Sequence, residues 1–527
     1  MKYLRFLLLG AILLCAVVVM AACRSDDDAN DTPDPPADNQ QAETPDNQQA
    51  DPDPVTNELE PVDLIVFFLG DGAIDNDEVF ALLNERTSEL INTTISPLFI
   101  SWADFDTRYP LVFASGEYFD MIYTSSWSFY ADQAIRGGFY NLTDELLNRY
   151  APELMAMMPE AALREARING NVYMLPNIND EWNHLGLLIR GDLRKAHDLP
   201  EITSLETLEL YLRTLAEHET HLIPFDGGSD FDAWVVPALW LYQPQGWVAP
   251  DSLPGYAYLL EDYTGTIFNM FDRPEYRAFL TQMREFNELG FWSRNALNNP
   301  IRSTDSFLAG RSGMAVHNIG TIASVWNEVN LNHPEWEAEV IDSMFDQFTT
   351  IRTSFLGNGF GVRAISDHPE RAIMYLNLIR TNQELYDLMM LGIEGRHWVD
   401  AGPGLAGAGP NYGDFGGFSN WGFITQPMRR FSLDEWPGME AVRRSYESRV
   451  VSNPAFYFLF DESDIRNEAA AMSQIVERYF RMLDFGFDAD WENTLDSISQ
   501  QLDVAGRPRI LEEYRSQLEV FIEEFTR

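Results

Sequence analysis

The chain has 527 residues, of which 45% are hydrophobic and 13% aromatic, enough for a large core and more than one domain. Its formal net charge of -46 argues against nucleic acid or an anionic membrane surface as partner. The chain has 2 Cys, so no disulfide framework can staple the fold.

Lys2 and Arg5 precede an apolar run over residues 6–22, which ends in Ala21-Ala22 before Cys23. A charged start, an apolar middle and a small-residue cleavage site make a secretory signal. The cysteine directly after the small pair resembles a bacterial lipobox. That resemblance implies removal of residues 1–22 and a lipid on Cys23 that anchors the protein to the cell membrane. A plain signal peptide or a single membrane anchor is the other reading. Cys15 leaves with the signal, so no thiol is expected for catalysis or metal binding. Residues 23–60 are dominated by Pro, Asp, Asn and Gln. Such a chain buries too little apolar surface to offset its ordering entropy, and reads as a disordered acidic tether.

The folded part opens on residues 63–69, DLIVFFL, an apolar run suited to a buried parallel strand. Helical spacing follows over 75–90, then a strand region over 91–102, a short apolar segment over 109–115 and a third strand over 120–124. This alternation predicts an α/β layer with a mostly parallel sheet, whose ligands sit beyond the carboxyl ends of strands. Residues 141–150 and 151–166 read as helical, with Thr143 as N-cap. The segment 171–190 joins two short apolar runs, 172–175 and 185–189, through a polar and aromatic centre, NINDEWNH. It reads either as a hairpin or as a chain crossing between two lobes.

Beyond it, 204–219 is an amphipathic helix, 221–225 a strand, 273–289 a helix ended by Gly290, and 313–317 a strand followed by a helix from Thr321. Strands are expected again over 339–345 and, loosened by glycine, over 357–365, with a long helix over 369–391. The middle of the chain therefore forms a second α/β layer. The C-terminal part reads as helices over 439–449, 462–483 and 509–525.

Four local patterns in this order resemble the bacterial extracellular solute-binding proteins of family 1, which are maltose-binding-protein-like. Gly170-Asn171-Val172-Tyr173-Met174-Leu175-Pro176 is similar to the strand before the family's first crossover. Phe307-Leu308-Ala309-Gly310 with Gly313-Met314-Ala315-Val316 is similar to its turn and strand, and Pro369-Glu370-Arg371-Ala372 to the helix start after its return crossover. Gly392-Ile393-Glu394-Gly395-Arg396-His397 resembles the signature of a LipO-like lipoprotein subgroup. The resemblance implies an α/β fold of two lobes with a ligand cleft between them, of the type II periplasmic-binding-protein kind. It divides the chain into lobe 1 over 61–183, lobe 2 over 184–356, a return to lobe 1 with a cleft loop over 357–430, and a helical region over 431–527 that packs on the lobes. It further implies a monomer that captures a carbohydrate, an oligosaccharide in particular, and delivers it to ABC permease subunits.

By position, the expected cleft lining is Ser125, Ser126 and Trp127 from the first lobe and Asn179, Asp180, Glu181 and Trp182 at the crossover. Asp226, Phe231, Trp234, His317 and Asn318 come from the second lobe, and Asn358 and Phe360 from the return. Tyr412, Phe418, Asn420 and Trp421 lie in or near a Gly-rich aromatic loop, GGFSNWGF. Asn318-Ile319-Gly320 lacks the aromatic that sugar binders of the family often carry there.

The rival readings are a binder of peptides or other polar solutes, and a surface glycoside hydrolase or adhesin. Asp180, Glu181 and Asp226 are the acids a hydrolase would draw on. Adjacent acids on an extended run point to opposite faces, so Asp180 and Glu181 cannot both face one bond. No Walker loop, H-E-x-x-H or G-x-S-x-G motif occurs, and no cofactor or metal is expected.

Overall fold

The computed structural model describes residues 59–179, 185–433 and 435–525. The signal, Cys23 and the tether up to residue 58 lie outside the described residues, as do Asp180, Glu181 and Trp182.

Eight strands carry the two lobes: β1 (Val62–Leu69), β2 (Thr93–Ile100), β3 (Met121–Thr124), β4 (Met174–Pro176), β5 (Leu185–Ile189), β6 (Met314–Asn318), β7 (Glu339–Ile341) and β8 (Gly359–Val362). The first sheet has the order β2-β1-β3-β8-β4. Its first three strands are parallel, and β8 runs antiparallel between β3 and β4, with Phe360 opposite both Tyr123 and Leu175. Val66, Phe68, Leu69, Ile122 and Val362 are buried along it, and Val79, Phe80 and Leu83 of the helix Asn76–Ile91 cover one face. Burying so many apolar side chains on both faces is what makes β1 a continuous hydrophobic run.

The second sheet, β6-β5-β7, is wholly antiparallel, with Leu187 opposite Val316 and Ile341. The helix Leu205–His218 packs on it through Leu208, Tyr211, Leu212 and Leu215, one face at helical spacing. Its start is fixed by a capping box: Ser204 accepts from the Thr207 N–H, and Thr207 accepts from the Ser204 N–H. The helices Arg466–Asp484, Trp491–Ala505 and Arg507–Phe525 feed Met472, Leu483, Ile498 and Tyr514 into the same core as Leu187 and Met314.

β4 belongs to one sheet and β5 to the other, so the chain passes between lobes after Pro176, and the two runs are not the arms of one hairpin. Three chain segments meet there. Asn177 N–H donates to the Asn358 carbonyl at 2.9 Å, Ile178 N–H to Ile424 at 3.0 Å, and Gln426 N–H returns to Ile178 at 2.7 Å. The second α/β layer is built on this antiparallel sheet, because β5 is followed by a long helical excursion before β6 returns beside it.

Several element boundaries also differ, each for a local reason. Residues 221–225 make one bridge, Ile223 with Ser312, because Pro224 has no N–H to extend a ladder. The strand expected over 339–345 stops at Ile341 and turns into a short 3-10 helix, Ser343–Phe345. Residues 369–391 form two helices that break at Asn382, whose side chain caps the second by accepting from Leu385 N–H. Residues 151–166 break likewise at Pro159. The helices not expected include Asp230–Pro237, Ser303–Leu308 and Trp491–Ala505.

Candidate functional site

Beyond the carboxyl end of β2 stands Trp102, and beyond β3 stand Ser126 and Trp127. The loop after the return crossover brings Trp421 to the same place. Trp102 and Trp421 lie parallel, with ring centroids 6.1 Å apart and planes 5° apart. Trp127 lies 6.3 Å from Trp102 at 29° and is 49% exposed. Phe105 and Tyr123 close the cluster from behind.

The polar edges of two of these rings are already satisfied. Trp127 Nε1 donates to the Gly357 carbonyl at 2.8 Å, and Trp421 Nε1 to Tyr123 Oη at 3.1 Å. Tyr123 Oη in turn donates to Asn358 Oδ1. With the N–H groups of Trp127 and Trp421 held by the protein, these two indoles present apolar faces, the surface that covers a flat apolar face of a ligand.

Lobe 2 supplies the opposing wall. His317, on β6, stacks on Phe231 with centroids 4.2 Å apart and planes 16° apart, and Phe231 leans on Trp234, which is 46% exposed. The Arg302 guanidinium lies 5.7 Å from the centre of Trp102, so a cation of the second lobe rests over one tryptophan of the first. Arg302 is also close enough to His317 to act on its charge.

Burial first, and Arg302 second, push the His317 imidazole down to about 4. Its Nδ1 is buried without a hydrogen-bond partner. The unfolded chain therefore binds a proton near the ordinary value of about 6.5, while the folded chain does not until pH nears 4. Between those values the unfolded state holds more protons, so stability falls as pH falls through this window. The expected loss from this residue is at most about 3 kcal/mol. Urea unfolding of the native protein and His317→Gln from pH 7 to 4 checks this. The native protein should lose more stability than the variant, and parallel pH profiles would refute the assignment.

Several expected lining residues point elsewhere. Ser125 is fully buried and donates to Ser128 Oγ at 2.8 Å. Asp226 is buried, accepting from Ser306 Oγ at 2.7 Å and Asn299 Nδ2 at 3.4 Å, so it is not free to meet a ligand or a scissile bond. Phe360 is fully buried against Phe68 and Phe423, and Phe418 lies in the same core. Asn318 caps the helix Ile319–Asn332 by accepting from Thr321 N–H at 2.9 Å. Asn420 donates to the Met389 carbonyl, and Tyr412 is exposed away from the tryptophans' contacts. Asn179 is partly buried at the crossover. The residues not anticipated are Trp102, Phe105, Tyr123 and Arg302. Trp102 obeys the same rule that singled out Trp127, a residue just past a strand's carboxyl end.

The Gly392–His397 motif has a structural role. His397 is buried, and its Nδ1 accepts from the Ile393 N–H at 2.9 Å, which leaves the proton on Nε2 for Asp75 at 3.0 Å. That bond, with Arg396 beside it, holds the Asp75 carboxyl below its usual range. With no hydroxyl in this chain of contacts, the pair fastens a loop to the start of the helix Asn76–Ile91. Among the described residues, no group of three His, Cys, Asp or Glu is placed to hold a metal ion, and no helix is long and apolar enough to cross a membrane.

Comparison with known proteins agrees with this architecture. A domain of unknown function, DUF3502, matches residues 454–523, which include most of the C-terminal helices. A carbohydrate ABC transporter substrate-binding protein of Streptococcus pneumoniae serotype 4 is 21% identical over 475 residues, 87% of this chain and 90% of that one. The N-glycan transport solute binding protein NgtS of Streptococcus pneumoniae, solved with Man1GlcNAc, superposes with a TM-score of 0.71 at 17% identity, covering 88% of this chain and 100% of that one. The alginate-binding protein AlgQ2 superposes with a TM-score of 0.64 at 15% identity, covering 87% and 98%. By its two sheets, its crossing segments and this likeness over nearly the whole folded length, the chain belongs in fold with the two-lobe solute-binding proteins.

Proposed function

We propose that this protein is the extracytoplasmic binding component of an ABC importer, held to the cell membrane by a lipid on Cys23, and that it captures an oligosaccharide as a monomer. The observation that carries this reading is the pair of facing walls: Trp102, Trp127 and Trp421 on one lobe, Arg302, His317, Phe231 and Trp234 on the other. A sugar ring offers flat apolar faces for the indoles and hydroxyls for the polar groups at the crossover. Hinge closure about the crossing segments brings both walls onto one ligand. The full-length relative in Streptococcus pneumoniae and the glycan complex of NgtS support the same ligand class. The lipobox-like Ala21-Ala22-Cys23 and the acidic stretch after it support the anchor and its stalk.

Calorimetric titration of the soluble body with a panel of neutral and acidic oligosaccharides, with short peptides beside them, tests the reading. Saturable heat with a sugar and no cleaved product is the expected result. Binding only to peptides removes the carbohydrate, and release of a shortened sugar makes the protein a hydrolase.

A further inference from the structure

Arg302 stands just before the helix Ser303–Leu308 of the second lobe, exposed to solvent, with its guanidinium over the indole of Trp102. Many arginines elsewhere in this acidic protein have found acids, while others, such as Arg273 over Phe268, pair with none among the described residues. Arg190 pairs with Asp192 at 2.6 Å, Arg194 with Glu339 at 2.7 Å, and Arg430 with Asp387 at 2.8 Å. Arg302 has not: among the described residues no carboxylate lies within 4.0 Å of it. Acids are at hand in the sequence on both sides of the contact. Asp104 and Asp106 follow Trp102, and Asp305 follows Arg302, yet Asp104 takes a hydroxyl from Ser101 and none of the three turns to the guanidinium.

We infer that Arg302 selects an oligosaccharide bearing a carboxylate, such as a uronic or sialic acid unit, by pairing with it beside the tryptophan wall; this rests on the oligosaccharide reading above. A cation over an indole is held there by its charge, and among the described residues no carboxylate takes the guanidinium N–H groups. Those groups form a planar fork that matches a carboxylate with two parallel hydrogen bonds. The indole supports the cation while the site is empty, so no protein acid is needed to hold it there. Charge explains why such a group is required. In a chain of formal net charge -46, an anionic sugar approaches against the field of the whole protein. A guanidinium left unpaired at the cleft reverses that field locally, where the sugar ring already stacks on indole. A neutral sugar gains the stacking and not the ion pair.

The test uses matched pairs of probes: sialyllactose with lactose, and trigalacturonate with its carboxyl-reduced trisaccharide. The acidic member of at least one pair should bind about tenfold or more tightly than its neutral partner. Raising NaCl from about 50 to about 500 mM should weaken the acidic member alone, because screening acts on the ion pair and not on stacking. Arg302→Gln should bring the two affinities together, and Arg302→Lys should keep part of the preference. Neutral members that bind as tightly as acidic ones overturn the inference while the oligosaccharide reading stands. A loss in Arg302→Gln that is equal for both members also overturns it, since a contact that only latches the lobes affects every ligand alike. If neither member of any pair binds while a peptide does, the oligosaccharide reading fails and takes the inference with it.

Discussion

Trp102→Ala weakens oligosaccharide binding by about 2–3 kcal/mol, roughly 30- to 150-fold, and leaves the protein folded. The size follows from where the ring sits. Trp102 lies parallel to Trp421, beside Trp127 and under Arg302, so it is the shared neighbour of three groups that line the cleft. Truncation removes one stacking face and also loosens the two indoles that lean on it, which is how a central aromatic differs from a peripheral one. Trp127 has its own anchor, the bond from Nε1 to the Gly357 carbonyl, and lies at the exposed end of the cluster, away from Trp421. Trp127→Ala is accordingly the milder change, about 1–2 kcal/mol. The fold survives because Trp102 is only partly buried and lies at the rim of the core around Phe68 and Phe360. Calorimetry with the sugar that gives the tightest binding to the native protein checks the affinity, and thermal unfolding checks the fold. A Trp102→Ala protein with native affinity would take the tryptophan wall out of the binding site.

How much of this was legible in the sequence depends on what each residue's direction is fixed by. The crossover after Pro176 was, because an apolar run on each side of a polar centre is a local pattern, and the order of strands decided which sheet each run joined. Trp127 was singled out for its place past a strand, and the same rule applied to Trp102 would have found it. It was instead read as the last residue of a strand over 91–102, whereas the strand ends at Ile100. Asn318 looked like a ligand group, yet its position just before a helix with Thr321 three residues on is that of a cap. Asp226 could not be read this way. What removes it from the cleft is Ser306 and Asn299, about 80 and 73 residues further along, and no local pattern announces such partners. The loop GGFSNWGF was beyond reach for another reason. A Gly-rich loop has no fixed period, so nothing in it told that Phe418 turns inward and Trp421 outward. Arg302 was missed because its place over Trp102 is made by two segments far apart in the chain, and no local pattern announces such a meeting.

The inward turn of that loop needs a glycine at the strand end on which it docks, and replacing that glycine should be highly damaging to this lobe. Gly70 follows β1 with φ +112, in the left-handed region that a side chain resists. A Cβ there would sit 2.2 Å from the Gly417 carbonyl oxygen and 2.9 Å from the Phe418 Cα. Both are backbone atoms, so no rotamer change can relieve the contact. The close approach exists because the loop docks on the strand end: Ser419 N–H donates to the Leu69 carbonyl at 2.8 Å, Leu69 N–H to Ser419 Oγ at 2.9 Å, and Gly72 N–H to Gly417 at 3.1 Å. Phe418 then enters the core between Phe68, Phe80 and Phe99, with centroids 5.1 to 5.7 Å away. Gly70→Ala must break the docking bonds or withdraw Phe418, and is expected to destabilise the protein by about 3 kcal/mol or more. Molecules that remain folded should bind ligand about tenfold or more weakly, because Trp421 travels with the loop. Gly402 separates clash from strain: its φ is +114, but a Cβ there meets nothing within 4 Å. Gly402→Ala should therefore cost only about 1 kcal/mol of backbone strain and leave binding unchanged. Equal destabilisation of the two variants in urea unfolding would mean that the left-handed backbone alone sets the cost. The loop's seat on β1 would then not be what holds Trp421 in the cleft.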